Sequence, residues 1–391
     1  MLFSTVFAVF SDAFKIHLGI DWKLFYLIIF FNSFFLVKKN YLKINFVFLK
    51  IIVFVLLHGL ILYTYLDIPI FYLISQILGI SFLGFYFYTF FLNYNIKEII
   101  NCYLKLVIIT AYVGYILYFM ANQMHVFIIG DLRFHSFLSE PALYVITIIP
   151  ACYFFLKNKE YKKFLIVFGT IILSESSIGL IGCLLMFIIP YLNLKKIAYL
   201  LMLIPLLLTI TYLIYVNNEN VKIRFDDTYK SLVDLKTGKF DENINISTYA
   251  ILSNLNVAGN NFIDHPLGSG IGSSYYMYDT YYKFGRRAPK YIQMEKADMI
   301  NANDACALSI RLFSELGIFG LIFIFAFFKN ILSSAFSEKY FLEQGIAIYL
   351  LLKFYRYGHY FTPEFYFFIW LFYFSLKESK KINVDLLKSK V

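Results

Sequence analysis

Apolar stretches of about twenty residues recur along this chain, and within them apolar and polar residues do not alternate. Lipid offers a backbone no hydrogen-bond partners, so a spanning segment must pair every N–H and C=O inside the structure, in helices or in a closed barrel. Barrel strands alternate with a period of two and these stretches do not, which leaves helices. Hydrophobic residues make up 60% of the 391, charged residues 15%, and mean hydropathy is +0.68. That is more apolar surface than a soluble domain can hide. The expected fold is an all-α polytopic integral membrane protein.

The main interruption runs from Val216 to Asn303, nearly ninety polar residues between apolar flanks. It is expected to form a large extramembrane lobe, and it divides the chain into 1–216, 217–303 and 304–391. Expected spans fall near 3–20, 23–37, 44–65, 69–92, 99–121, 138–156, 162–174, 177–194, 197–216, 304–328, 340–356 and 363–376, about 12 in all. Two of them are irregular. The first carries Asp12, Lys15 and His17, each costing roughly 2–3 kcal/mol at mid-membrane. It lacks a basic leader and a small-residue cleavage site, so Leu2 to Ile20 is taken as a retained span. The seventh is short, ends at Ser174-Glu-Ser-Ser177, and suits half of a broken helix.

A net charge of +10 would suggest nucleic acid in a soluble protein, but its distribution excludes that. The lobe holds about ten bases and ten acids, and the excess lies on short connectors at Lys38-Lys39, Lys157 to Lys163, Lys195-Lys196 and the Lys377 to Lys390 tail. Short lysine-rich connectors face the cytoplasm, which places both termini inside and the lobe outside. Cys102, Cys152, Cys183 and Cys306 show no paired or metal-binding spacing and are expected to pack inertly, so no metal is expected.

Ionisable groups at membrane depth need a partner or a task. Arg133-Phe-His135 precedes Ser139-Glu140-Pro141, where Pro141 suits a first helical turn and Ser139 a cap. Capping does not account for Arg133 and His135. Asn301-Ala-Asn303-Asp304 opens the span that carries Arg311 and Glu315, one turn apart. These two either neutralise each other or leave Arg311 to hold an anion. In the lobe, Arg224 and Arg286-Arg287 are either solvated or one wall of an anion site, where guanidinium groups bind bidentately. His265-Pro-Leu-Gly268-Ser-Gly270-Ile-Gly272 lacks the context and the lysine of a nucleotide loop and is expected to be a tight, close-packed turn. His265 is either a base or simply exposed. Tyr275, Tyr276, Tyr278, Tyr281 and Tyr282 either pack together or stack on sugar rings. Arg356, His359 and Glu364 form a last polar cluster.

Several of these segments, in this order, resemble the O-antigen polymerase (Wzy) family and the related O-antigen ligases. They are Arg133 with Ser139-Glu140-Pro141, the break at Ser174-Glu-Ser176-Ser177-Ile-Gly179, the His-Pro-Leu-Gly-x-Gly-Ile-Gly loop, and Asn-x-Asn-Asp leading to Glu315-Leu-Gly317-Ile-Phe-Gly320. The resemblance covers roughly residues 130 to 325. Ligases usually place a histidine at the head of that last span, and Asn301 to Cys306 has none, which favours a polymerase. The resemblance implies a GT-C-like glycosyltransferase of the bacterial inner membrane, with its active site on the periplasmic face. It implies transfer of a growing glycan from undecaprenyl pyrophosphate to the repeat unit on a second carrier, without a cofactor, either alone or beside a chain-length regulator. Arg133, Arg311, Arg224 and Arg287 would hold the pyrophosphate. Glu140, ahead of Asp304 and His265, would take the acceptor's proton, and His135, Tyr275, Tyr276 and Asn303 would hold sugars. About twelve spans also suit a flippase or other transporter, but the single lobe, the nine-plus-three layout and the absence of a repeat oppose it.

Overall fold

The computed structural model describes residues 1–17, 21–38, 43–124, 133–189, 240–242, 244–283, 288–294, 297–335 and 341–388, with isolated positions between 205 and 235. The chain begins with α1 (Leu2–Ala8), followed by a short antiparallel pair, β1 (Lys15–His17) and β2 (Asp21–Lys23), in which Lys15 faces Lys23. Helices α2 (Leu24–Lys38), α3 (Phe46–Leu66), α4 (Phe71–Asn93), α5 (Ile96–Met124), α6 (Pro141–Lys157), α7 (Tyr161–Leu173) and α8 (Ser177–Ile188) follow. The lobe contributes α9 (Ile246–Asp264), α10 (Ser274–Lys283) and α11 (Lys290–Met294). Helices α12 (Leu308–Ala335), α13 (Phe341–Tyr355) and α14 (Pro363–Lys388) complete the described residues.

Among the described residues, Phe46–Leu66, Phe71–Asn93, Ile96–Met120 and Leu308–Ile331 are long and apolar enough to cross a membrane. At 1.5 Å per residue the first of these reaches about 31 Å, the thickness of a hydrocarbon core. The helices Leu24–Lys38, Pro141–Lys157 and Ser177–Ile188 are apolar but shorter. Large apolar side chains crowd the outside, with Phe46 73%, Ile61 70% and Phe325 74% exposed. Surface of that kind suits lipid contact and marks the protein as membrane-embedded.

The expected first span is corrected. A seven-residue helix ends at Ala8 and the chain doubles back through the β pair. The reason is electrostatic: Asp12 finds partners where the chain turns, not along a crossing helix. Its carboxylate accepts from Lys23 Nζ at 2.6 Å and from the hydroxyl of Ser139. Expected spans near 197–216 and most of residues 217–239 lie outside the described residues.

One apolar core joins α1, α2, α4 to α8, α13 and α14. Within it, Tyr103 Oη donates across helices to Thr147 O (2.8 Å) and Trp370 Nε1 to Gly84 O (2.9 Å). Helix α13 lies close against α6 because Gly345 presents no side chain there; a Cβ would sit 2.8 Å from Pro150 O. A second core joins α3, α4 and α12 to the lobe helices. Helices α9 to α11 are thus packed onto the bundle.

Candidate functional site

The helix α12 is broken. Gly317, nine residues in, has φ 55° and ψ −128°, which only glycine adopts without strain. A break frees backbone groups that lipid cannot satisfy. Here the glycine loop after α9 satisfies them: Ile318 N–H donates to Pro266 O at 3.0 Å, and Gly270 N–H to Glu315 O at 2.7 Å. Gly268, Gly270 and Gly272 all have φ near +90°. A Cβ on Gly268 would sit 2.5 Å from Glu315 O, and one on Gly317 2.2 Å from Pro266 O. The loop is the tight, closely approaching turn expected from its sequence, and its partner is the Glu315-Leu-Gly317 segment. Two motifs about fifty residues apart meet through their backbones.

Beside the break, Arg311 and Glu315 pair at 3.0 Å with side chains 1% and 0% exposed. Arg311 donates Nε to Glu315 Oε1, NH1 to Gly358 O at 3.0 Å and NH2 to Gln76 Oε1 at 3.1 Å, and its guanidinium lies 4.0 Å from the Tyr360 ring centre. Glu315 also accepts from Ser274 Oγ at 2.6 Å and from Tyr360 Oη at 2.7 Å. Of the two readings of Arg311, the structure adopts neutralisation, and the expectation of an anion-holding Arg311 is corrected. Burying a lone guanidinium costs several kcal/mol, by order of magnitude, so every polar edge is engaged within the protein. The pair ties α4, α12, the start of α10 and the turn between α13 and α14 into one unit.

That turn carries a second buried pair. Lys353 Nζ lies 3.3 Å from Glu364 Oε1, with side chains 0% and 4% exposed, and donates to Thr362 Oγ1 at 3.0 Å. The turn is locked to the residues before α12, where Tyr357 N–H donates to Cys306 O at 2.9 Å. A Cβ on Gly358 would lie 1.6 Å from Asp304 O, so no other residue fits. Asn301, Ala305, Cys306 and Tyr357 all take positive φ without being glycine. Such strain persists only where surroundings impose it, and it gathers at functional sites.

Around this locked turn the structure gathers several candidates. Glu140 is the N-cap of α6, is exposed, and accepts from Tyr357 Oη at 2.8 Å. Burial, and then Glu140, push the Tyr357 phenol well above its ordinary pKa. Pro141 opens α6 as expected, but the expected Ser139 cap is corrected: its hydroxyl turns to Asp12, the stronger charged acceptor. Asp304 is 7% exposed and accepts from Cys306 N–H at 3.2 Å, which leaves little of it to meet a substrate. Asn303 and His359 are exposed, and Arg356 is half-buried with NH1 2.9 Å from Cys306 Sγ. Enclosure of the His359 ring, with help from Arg311, Lys353 and Lys23 and against Asp304, lowers its pKa below the ordinary imidazole range; the exposed edge moderates this.

Other candidates are placed differently. Arg133 is exposed just before α6. His135 is half-buried, its Nδ1 2.7 Å from Leu138 O. His265 is half-buried at the end of α9, and its carbonyl accepts from Gly268 N–H at 2.7 Å. Tyr275 is 36% exposed and Tyr276 half-buried, whereas Tyr278 and Tyr282 sit in the second core and are not open to a sugar. Arg224, Arg286 and Arg287 lie outside the described residues. Gln76 and Lys353 were not anticipated. Their signal was present, since each is a polar residue inside an apolar run. Among the described residues no group of three or more His, Cys, Asp or Glu side chains is arranged to hold a metal ion. The chain matches no protein-family model, no curated protein and no solved structure.

Proposed function

We propose that this protein is a membrane glycosyltransferase that polymerises lipid-linked oligosaccharide repeat units, moving the growing glycan from undecaprenyl pyrophosphate onto an acceptor unit at the periplasmic face. The proposal includes an extracytoplasmic lobe, a cytoplasmic C-terminus and residence in a bacterial inner membrane. The observation that carries it is the assembly of the motif segments. The His-Pro-Leu-Gly loop is docked on Glu315-Leu-Gly317, and the Asn-x-Asn-Asp turn is locked to the turn that also meets Glu140. Segments that suggested the family only by their order in the chain are neighbours in space.

In this reading the acceptor hydroxyl attacks the anomeric carbon of the donor glycan. The bond from that carbon to the pyrophosphate oxygen breaks, and the carrier leaves with the bonding electrons. Glu140 takes the hydroxyl proton, held in place by Tyr357. Arg133, which is exposed, and Arg356, which is half-buried, offset charge growing on the leaving pyrophosphate. Arg311 acts as a positioning residue, setting the turn that carries Arg356. The energy comes from the pyrophosphate linkage, so no nucleotide is consumed.

The test is deletion of the gene in its host and inspection of surface glycolipid and carrier-linked material. A polymerase leaves single repeat units on the mature lipid, and the long-chain ladder returns with the wild type but not with Glu140→Gln or Arg356→Ala. Single units stranded on the inner leaflet would instead identify a flippase. Bare lipid core with polymer accumulating on the carrier would identify a ligase.

A further inference from the structure

Where the glycine loop meets the break in α12, a polar knot is enclosed that the proposed reaction does not use. Asn261 of α9 is 0% exposed. Its amide nitrogen donates to Ser314 O at 2.8 Å, Ser269 Oγ at 2.9 Å and Ser314 Oγ at 3.0 Å. The Ser314 carbonyl is only an acceptor, so it fixes which end of the Asn261 amide carries hydrogen. The other end, Oδ1, is buried and has no donor among the described residues. An unmatched buried acceptor of this kind calls for an explanation.

Two of the three neighbouring hydroxyl hydrogens, those of Ser269 and Ser273, are already committed. Ser273 Oγ donates to Gly270 O at 2.6 Å, so in the 2.6 Å contact between Ser269 and Ser273 the hydrogen comes from Ser269. What remains is the single hydroxyl hydrogen of Ser314 against a surplus of oxygen lone pairs from Asn261, Ser269, Ser273 and Ser314. A bound water would bring two lone pairs of its own against that one hydrogen, whereas a cation needs acceptors alone. The break adds a further acceptor, because Ile318 N–H, the helical partner that Ser314 O would have in an unbroken helix, donates instead to Pro266 O. Carbonyls at a broken helix together with neutral side-chain oxygens are the donor set that suits sodium in membrane proteins. A calcium or magnesium ion would demand free carboxylates, and Glu315 is engaged by Arg311, Ser274 and Tyr360.

We propose that this knot binds one monovalent alkali cation through Asn261 Oδ1 and the adjoining serine oxygens, clamping the lobe to the broken span. The proposal stands apart from glycan transfer, and its test reads stability, not activity. The full-length protein in detergent is melted in rising sodium chloride, with choline chloride holding ionic strength constant. The expected result is a saturable rise of a few degrees in melting temperature with sodium. Ser314→Ala, which keeps the Asn261 bond to the Ser314 carbonyl, should move the half-saturating sodium concentration upward at least threefold, and Asn261→Leu should remove the sodium response. Should Asn261→Leu fail to fold, the Ser314→Ala shift decides. Coincident sodium and choline curves for the wild type would overturn the proposal and leave an internal water as the partner of Oδ1. A sodium response unchanged in the folded variants would overturn it equally.

Discussion

Changing Glu315 to Gln tests the buried pair most directly, because the shape is kept and only the charge is lost. In the wild type Oε1 faces Arg311 Nε and Ser274 Oγ, and Oε2 faces Tyr360 Oη. The new amide can place its oxygen toward Arg311 and Ser274 and its NH2 toward Tyr360, whose hydroxyl then turns to accept. No hydrogen bond need be lost. What is lost is the counter-charge of a guanidinium that is 1% exposed. Removing one partner of a buried pair costs about 3–5 kcal/mol, a large share of a typical total of about 5–15 kcal/mol. With an unfolding entropy of about 2.1 cal/mol/K for each of 391 residues, or roughly 1.2 °C per kcal/mol, the melting temperature in detergent should fall by about 4–6 °C. Arg311→Met should fall by a similar amount, and Arg311→Met with Glu315→Leu should recover most of the loss, since a paired apolar replacement removes both desolvation costs. A Glu315→Gln variant that melts within about 2 °C of the wild type would refute the reasoning, as would a double variant whose loss is the sum of the singles.

Three other outcomes follow from the same geometry. Gly268→Ala should prevent accumulation of folded protein, because about 1–2 kcal/mol of backbone strain is added to a contact of 2.5 Å with a backbone oxygen that cannot move aside; size-exclusion profiles of the expressed variant check this. Asp12→Ala should release Lys23 and Ser139 and raise hydrogen exchange across residues 133–140 while leaving that of α13 unchanged. His359→Asn should flatten part of the pH dependence of stability: the lowered imidazole pKa means that the unfolded chain binds the proton more readily, so the wild type loses stability as pH falls through about 6.5, and the variant loses less. Equal slopes for the two proteins between pH 7 and 5 would exclude that role for the ring.

Local chemistry accounts for what was legible in the sequence. Pro141 fixed the start of α6, the serines at 174–177 the break between α7 and α8, and three alternate glycines the sharp turn after α9. Each is a backbone preference that acts over a few residues. The spacing of Arg311 and Glu315 showed that they share a helical face and left two roles open; the choice between them needed Gln76, Gly358 and Tyr360 from two other stretches. The N-terminal turn was misjudged for the same reason, because Ser139, which helps hold Asp12, lies over a hundred residues away. The break in α12 was also hidden: Gly317 is one glycine among the 19 of the chain, and only the docked loop makes the break tolerable.

By itself, then, the order of residues determined the solvent this protein lives in, its helical character and the polar lobe, since transfer to lipid and backbone pairing depend on composition and on neighbours in sequence. Tertiary structure alone decided which charges are internal ties and which stay accessible to a ligand. A buried charge is tolerated only where distant donors and acceptors converge on it, and that convergence is a property of the folded chain.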